Sequence, residues 1–407
     1  MPDIPTSGVA ANFFILPPSS FILSKMRILV LCYEYPPLGG GGGRVAQSIA
    51  QQMAARGHEV RVQTAALGWR STREHSAGVE IFRTASGRRA PDTCSVPEMG
   101  LYCLTSFLPT LRHIRDWKPD IIHAHFAVPT GALAWAVHCL TGVPYVLTAH
   151  LGDVPGGVPD QTDTLFKMIG PIARQIWKRA AAATAVSSFV QELAERAYHR
   201  PVVRILNGID LSEASLPPPE PHRRRHLVFI GRLNPQKNPV FLMDVVARLL
   251  RLPWQLTFIG DGPLMDKVLQ RVAKHQLGDH VRSTGWLESA EVHRILAEAD
   301  ILCMPSLSEG LPVAAIEALR HGLAIVASDI PGVRDVVDDG VNGYRLPVGN
   351  IDAFAHKLQW LIENDTTLLA MKHASWEKAR SFDIHKIADQ YEEVLRAAAA
   401  GHTAQAR

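Results

Sequence analysis

Short apolar runs alternate with longer amphipathic stretches along most of this chain. Residues 28–32, 60–64, 121–124, 145–148, 183–186 and 203–206 read as strands. Helical patterns fill two of the gaps, over about 45–56, ended by Gly57, and about 131–140. A Pro-rich break follows at 216–222, with the basic cluster Arg223, Arg224 and Arg225, and it reads as a linker. The rhythm then restarts. Strands are expected at 226–230, 255–259, 301–304 and 323–327, with helices at about 240–250 and 311–321. A last helix at about 384–398 carries Ile387, Ala388, Tyr391, Val394 and Leu395 on one face. Strand and helix in alternation predict an α/β fold with parallel sheets and crossover helices.

A length of 407 residues exceeds one ordinary core, so two domains are expected. The boundaries fall at 26–210 and 226–380, with a linker at 211–225 and the last helix at 381–400. An apolar fraction of 47% with 20% charged residues describes a globular chain, and a net charge of +3 does not suggest a nucleic-acid binder. The five cysteines, at 32, 94, 103, 139 and 303, show no metal-ligand spacing, which fits a reduced cytoplasmic interior. The first 25 residues hold short apolar pieces split by Pro17 and Pro18, with no basic start. They are expected to be a disordered leader or a misassigned start.

Candidate chemistry concentrates in a few turns. Glu309 and Glu317 bracket Gly310-Leu311-Pro312-Val313, where Pro312 suits a first helical turn and Gly322 a helix end. The free N–H groups of that helix start would face an anion. At about 1.5 Å rise per residue the two carboxylates stand roughly 10 Å apart, enough to reach both ends of a ligand with a phosphate in its middle. In Gly231-Arg232-Leu233-Asn234-Pro235-Gln236-Lys237-Asn238, Arg232 offers a planar fork for phosphate and Lys237 a compact second charge. Gly260-Asp261-Gly262-Pro263 ends a strand at the carboxyl edge of a sheet, where ligands of open α/β sheets bind.

Residues 39–43 are five glycines followed by Arg44, between a strand and a helix. The run loosely fits a dinucleotide fingerprint, but the second strand ends Gln63-Thr64-Ala65, without the acid that binds a ribose there. The loop therefore reads as facing an anion or an acceptor. His150 follows a strand in Thr148-Ala149-His150, placed to hydrogen-bond a hydroxyl or polarise a developing charge. His123 and His125 are too few for a metal site, and His125 and Asp153 are expected to line the cleft. Asn207-Gly208-Ile209-Asp210 is a turn by chemistry and a candidate hinge. Taken singly, each of these is also an ordinary turn or a solvated charge.

Together the runs resemble the retaining glycosyltransferases of family 4. The resemblance covers about 26–398 and rests on motifs in the family's order: the glycine loop, Thr148-x-His150, Asn207-Gly208-Ile209-Asp210, Gly231-Arg232-Leu233 with Lys237-Asn238, Gly260-Asp261-Gly262-Pro263, and the Glu309/Glu317 pair. The tail motifs Ala327-Ser328-Asp329-Ile330-Pro331-Gly332 and Asp339-Gly340-x-Asn342-Gly343 follow. The resemblance implies the GT-B architecture: two Rossmann-like domains around a cleft, the N-terminal one taking the acceptor, with the last helix crossing back onto it. It implies a nucleotide-diphosphate sugar as donor, with UDP or GDP as the nucleotide. Glu317 would bind the ribose and Glu309 the sugar hydroxyls. Arg232, Lys237 and the backbone at Gly310, Leu311, Pro312 and Val313 would hold the diphosphate, beside Gly260 and Gly262.

His150 would stand by the reacting sugar, and Gly41, Gly42 and Arg44 by the phosphate or the acceptor, on the side of His125, Asp153 and Asn207. Val281, Arg282 and Trp286 would meet the base. The acceptor would be a glycan, a lipid-linked glycan or a small molecule. No cofactor and no metal are expected, since the chain has no Asp-x-Asp pair. The chain would be a monomer or homodimer. Residues 99–111, with Tyr102 and Phe107, are a candidate for peripheral contact with the inner face of a membrane. Five glycines in the first loop exceed the family's usual two or three, which leaves the acceptor open. Two other readings remain: a Rossmann-type NAD-dependent oxidoreductase, and a catalytically silent sugar-nucleotide-binding protein.

Overall fold

A computed structural model of the chain describes residues 24–91, 93–212 and 220–405, the side chains at 159–165, 167 and 402–405 excepted. Most of the expected leader and the middle of the expected linker fall outside these residues.

The N-terminal half is an eight-stranded sheet. Its strands are β1 (Arg27–Leu31), β2 (Glu59–Leu67), β3 (Thr72–Ser76), β4 (Val79–Arg88), β5 (Ile121–His125), β6 (Tyr145–Ala149), β7 (Ala182–Ala185) and β8 (Val203–Arg204). Their spatial order is β3-β4-β2-β1-β5-β6-β7-β8. The helices between them are α1 (Gly41–Ala55), α2 (Val96–Trp117), α3 (Ala132–Thr141), α4 (Pro159–Arg179) and α5 (Ser188–Tyr198). Every pairing is parallel except β3 with β4. Central strands β5 and β6 are buried at every position, because helices cover both faces.

The C-terminal half repeats the plan with six parallel strands. They are β9 (Arg225–Ile230), β10 (Trp254–Ile259), β11 (Val281–Ser283), β12 (Ile301–Met304), β13 (Ala324–Ser328) and β14 (Gly343–Leu346), in the order β11-β10-β9-β12-β13-β14. Around them lie α6 (Pro239–Val246), α7 (Met265–Lys274), α8 (Ser289–Ala297), α9 (Val313–Arg320), α10 (Ile351–Glu363), α11 (Asp365–Ala379) and α12 (Ile384–Gln405). In each sheet the strand order reverses beside the first strand, β1 or β9. The carboxyl ends there form a crevice.

Three differences from the sequence reading matter. The hairpin β3–β4 was not foreseen; its turn uses Ala77 and Gly78 at φ 47° and 79°, the left-handed pair of a tight hairpin. Helix α1 begins at Gly41, not 45, so three glycines form its first turn. Helix α9 begins at Val313, with Pro312 as an extended N-cap residue rather than a first-turn residue.

One apolar cluster runs from both faces of the larger sheet into the inner face of the smaller one, joining Ile28 and Val146 to Ile316 and Ile325. A second lies under the other face, around Phe229, Trp254 and Phe354. Helix α12 crosses to pack on α1, β5 and β6. Arg56 fixes it there through Asp389 at 2.6 Å and Glu392 at 2.9 Å. Ile209 exchanges backbone hydrogen bonds with Phe382 and Ile384 (2.8 and 2.9 Å), stitching the two chain crossings together. Asp335 takes Ser188 N–H and Oγ–H at 2.8 and 2.7 Å, capping α5 from the opposite half.

Lys372 and Asp300 form a fully buried ion pair at 2.9 Å, and Asp300 also accepts the His226 N–H at 3.0 Å. Removing the cation leaves a buried carboxylate with the His226 N–H and the His222 ring, 3.2 Å away, to compensate it. Lys372→Met is expected to lower stability by about 3–5 kcal/mol in urea unfolding, while the double variant Lys372→Met/Asp300→Asn recovers part of that loss.

Candidate active site

The loops at the carboxyl ends of the two sheets face each other. After β1 the chain runs through Tyr33, Glu34 and the glycines into α1; after β12 it runs through Glu309 into α9. Neither helix has a side-chain cap or an acid in its first turn, so both keep unsatisfied N–H groups. The two starts converge: a Cβ on Gly41 would stand 3.4 Å from Val313 Cγ2. Two positive dipole ends this close to each other are suited to an anion.

A cavity of about 1200 Å³ opens beside them. Its N-terminal wall includes Gly39, Gly40, Arg44, Gln47 and Ser48; its C-terminal wall includes Arg232, Asp261, Gly262, Val313 and Glu317. Arg232 reaches it from the end of β9. Gly260 lets the loops after β9 and β10 touch, since a Cβ there would lie 2.3 Å from the Gly231 carbonyl oxygen.

Lys237 and Glu309 are found paired, Nζ to Oε1 at 2.6 Å, with the carboxylate only 8% exposed. Gln236 holds the same loop through Ser308 O at 2.8 Å and Leu307 N at 2.7 Å. This loop meets the N-terminal half: a Cβ on Gly310 would lie 3.0 Å from Leu151 Cβ, and Ser308 Oγ donates to Gly157 O at 3.1 Å. Asn207 is buried and donates Nδ2–H to Leu311 O at 3.2 Å, so it ties the halves together at the start of α9.

Glu317 projects from α9 between Arg320 and Arg44. Burial raises its pKa, against the pull of those two guanidiniums. Its Oε2 has no hydrogen-bond partner among the described residues, and His293 Nδ1 stands 3.7 Å away. Glu317 lines the cavity, and a buried carboxylate oxygen without a hydrogen-bond partner is suited to accept from a hydroxyl.

His150 is 8% exposed at the end of β6, packed on the Phe126 ring at 4.4 Å. Gly42 is required beside it, because a Cβ there would lie 2.6 Å from Phe126 Cζ and 3.3 Å from His150 Nδ1. Burial pushes the His150 imidazole down to about 4, so it is uncharged near neutral pH.

Three expected residues sit differently. Asp153 is buried and turned back onto the backbone, accepting His150 N–H at 2.7 Å and Ala127 N–H; burial holds its pKa well above the usual carboxylate range. It orients His150 and does not line the cavity. His125 is fully buried behind His150. Arg282 on edge strand β11 directs Nε to Thr257 Oγ1 at 2.8 Å, so this edge of the cavity is walled by Trp286, Leu287 and Glu288 instead.

Residues the sequence reading missed include Gln47, Ser48, His293 and Arg320. Helical spacing held the signal for three of them: Gln47 and Ser48 stand one turn after Arg44, and Arg320 one turn after Glu317.

Family comparisons join these observations. The model for Glycosyltransferase Family 4 matches residues 39–213, and that for Glycosyl transferases group 1 matches 213–380. A phosphatidyl-myo-inositol mannosyltransferase of Mycobacterium leprae is 27% identical over 378 residues, covering 90% of this chain and 95% of that protein. A putative teichuronic acid biosynthesis glycosyltransferase, TuaC of Bacillus subtilis, is 32% identical over 241 residues, 56% of this chain and 58% of that one. Among solved structures, sucrose-phosphate synthase of Thermosynechococcus elongatus superposes with a TM-score of 0.77 at 20% identity, covering 93% of this chain and all of that one. HepE of Anabaena, solved with UDP and glucose, gives 0.71 at 19%, covering 91% of this chain and all of that one. These likenesses show the GT-B fold.

Glu317→Gln tests the cost of the open carboxylate. The raised pKa means that the fold disfavours ionised Glu317; the penalty is present above that pKa and relieved as pH falls through it. At neutral pH the variant is expected to melt about 2 °C higher than the parent in calorimetry while binding nucleotide more weakly.

Proposed function

The chain belongs to the group 1 glycosyl transferases of family 4, and on that footing we propose that it is a retaining enzyme moving a hexose from a nucleotide-diphosphate sugar, with UDP or GDP as the nucleotide, to a hydroxyl of a glycan or lipid-linked acceptor. The oxidoreductase reading falls with the family assignment. One observation carries the proposal: two uncapped helix starts converge where Arg232 and Glu317 line the cavity, with the paired Lys237 and Glu309 on the loops that lead into it.

The charges fit the donor's parts in sequence. Glu317 Oε2 accepts from the ribose. Arg232 and the start of α9 hold the diphosphate, with Arg44 and the start of α1 across the cleft. Glu309 takes sugar hydroxyls once Lys237 turns from it to a phosphate oxygen. Trp286, 57% exposed beside the cavity, offers a face for the base. As the bond from C1 to the diphosphate oxygen breaks, Arg232, Lys237 and both helix starts stabilise the growing negative charge. The acceptor oxygen bonds to C1 on the face the diphosphate leaves, and its proton passes to the departing phosphate oxygen. That route needs no carboxylate nucleophile and retains configuration.

A panel of UDP-, GDP- and ADP-sugars scored by nucleotide release tests this reading. Arg232→Ala and Glu309→Ala are each expected to lower kcat on the order of 10²- to 10³-fold. Full activity in either variant refutes the site assignment, and nucleotide binding without transfer or hydrolysis supports the silent-binder reading. The chain's own cations are proposed to serve in place of a metal, so EDTA is expected to leave the rate unchanged.

Peripheral contact with the inner face of a membrane is proposed through α2. Leu104 and Leu108 are 75% and 62% exposed one turn apart, with Arg112 and Arg115 exposed farther along the helix. Phe107 is half-buried against the core, so the leucines carry this face. The mannosyltransferase relative, named for a phosphatidyl-inositol acceptor, favours the same reading. No described helix is long and apolar enough to cross a membrane. Flotation with anionic liposomes is expected to carry the parent upward and leave Leu104→Glu/Leu108→Glu at the bottom; equal behaviour of the two refutes the contact.

A further inference from the structure

The donor chemistry leaves the histidines behind His150 without a role. His123 and His125 lie side by side on β5, ring centroids 4.2 Å apart. His125 is fully buried, and its Nδ1 stands 3.4 Å from Nε2 of His150 on the neighbouring strand. Its Nε2 has no partner among the described residues.

His150 cannot readily turn away. Phe126 lies across its ring, with centroids 4.4 Å apart and 30° between planes. Phe126 itself sits at φ 72°, a backbone conformation that a bulky side chain adopts only where its surroundings enforce it. The ring's other nitrogen, Nδ1, faces the first turn of α1, 3.3 Å from the place of a Cβ on Gly42. Burial depresses both imidazoles, His125 well below its ordinary value, so each carries a single N–H near neutral pH.

A pair of neutral rings can share this contact in two ways. If His150 donates from Nε2, His125 must carry its proton on Nε2, where nothing accepts it. A buried donor without a partner is rare in native interiors. If His125 donates from Nδ1, the unused atom is a lone pair, which folded proteins tolerate more readily.

Resting on the reading of His150 as a group beside the reacting sugar, we infer that His125 is a positioning residue that donates its Nδ1–H to His150 Nε2, so that His150 presents an Nδ1–H donor to the cleft. His150 then offers a hydrogen bond to an oxygen of the bound donor and has no lone pair facing the cleft with which to act as a base. His125 touches no substrate; it selects which nitrogen of His150 carries the proton.

The test uses the full chain labelled with ¹⁵N-histidine. Long-range ¹H–¹⁵N spectra, assigned by loss of signals in His150→Gln, are expected to show His150 as the Nδ1–H tautomer; an Nε2–H tautomer overturns the inference. Transfer kinetics supply a second readout. His125→Phe is expected to lower kcat on the order of 10- to 100-fold, with donor KM changed by less than about twofold. His125→Asn places an amide N–H near the lost Nδ1–H and is expected to restore most of the rate. His125→Phe/His150→Ala is expected to be no slower than His150→Ala. Parent activity in a folded His125→Phe, or an Asn variant as slow as the Phe variant, overturns the inference. Should His125→Phe not fold, the spectra and the Asn variant still decide. If the parent releases nucleotide from no donor, the functional reading fails while the tautomer spectrum still settles this one.

Discussion

The structure depends most on the meeting of two helix starts, α1 and α9, neither of which has a side-chain cap among the described residues. Such a junction is unfavourable when empty, because like partial charges face each other. Glu34 relieves it in part, its Oε2 accepting the Gly40 N–H at 3.4 Å. No acid stands in either first turn, and the N-cap positions are Gly40 and Pro312, which have no side-chain acceptor. The strain is tolerated because both helices are anchored far from the cleft, α1 under α12 and α9 against α11. An anion is the counterpart that the proposed donor would supply, and the two sheets hold the junction in register.

The ion pair of Lys237 and Glu309 answers a related constraint. A buried glutamate beside a half-buried lysine would be costly alone. Paired at 2.6 Å they neutralise one another in the free protein. A ligand with an anionic group beside a hydroxylated ring offers each of them a replacement partner. The pairing is therefore compatible with the role proposed for each of them.

Much of this was legible in the chain. Strand positions followed from buried apolar runs such as Ile301–Met304, the run of a strand buried at every position. Glu317, Arg232 and His150 were legible because chemistry-bearing residues at strand ends and helix starts fall at the carboxyl edge of a parallel sheet. What was not legible has local causes. The β3–β4 hairpin lacks an Asn-Gly or Asp-Gly turn, and all of β3 is exposed, so no apolar alternation marks it. The glycine-rich start of α1 reads as a loop by propensity, yet close approach to Glu34, Phe126 and His150 forces it into helix. Asp153 and Arg282 look like cleft residues in one dimension. Their side chains are claimed instead by the His150 backbone and by Thr257.

The stitch at Ile209 has a mechanical consequence. The chain passes between the halves twice, once after Ile209 and again before Ile384, and backbone hydrogen bonds hold the two passages together. Two adjacent tethers act as a door hinge, not as a ball joint. They suppress sliding and twisting of one half over the other and leave a single swing about their common line. Contacts such as Ser188 with Asp335, and Asn207 with Leu311, tie the halves at further points. Any opening confined to that line would return α1 and α9 to the same mutual position on closing.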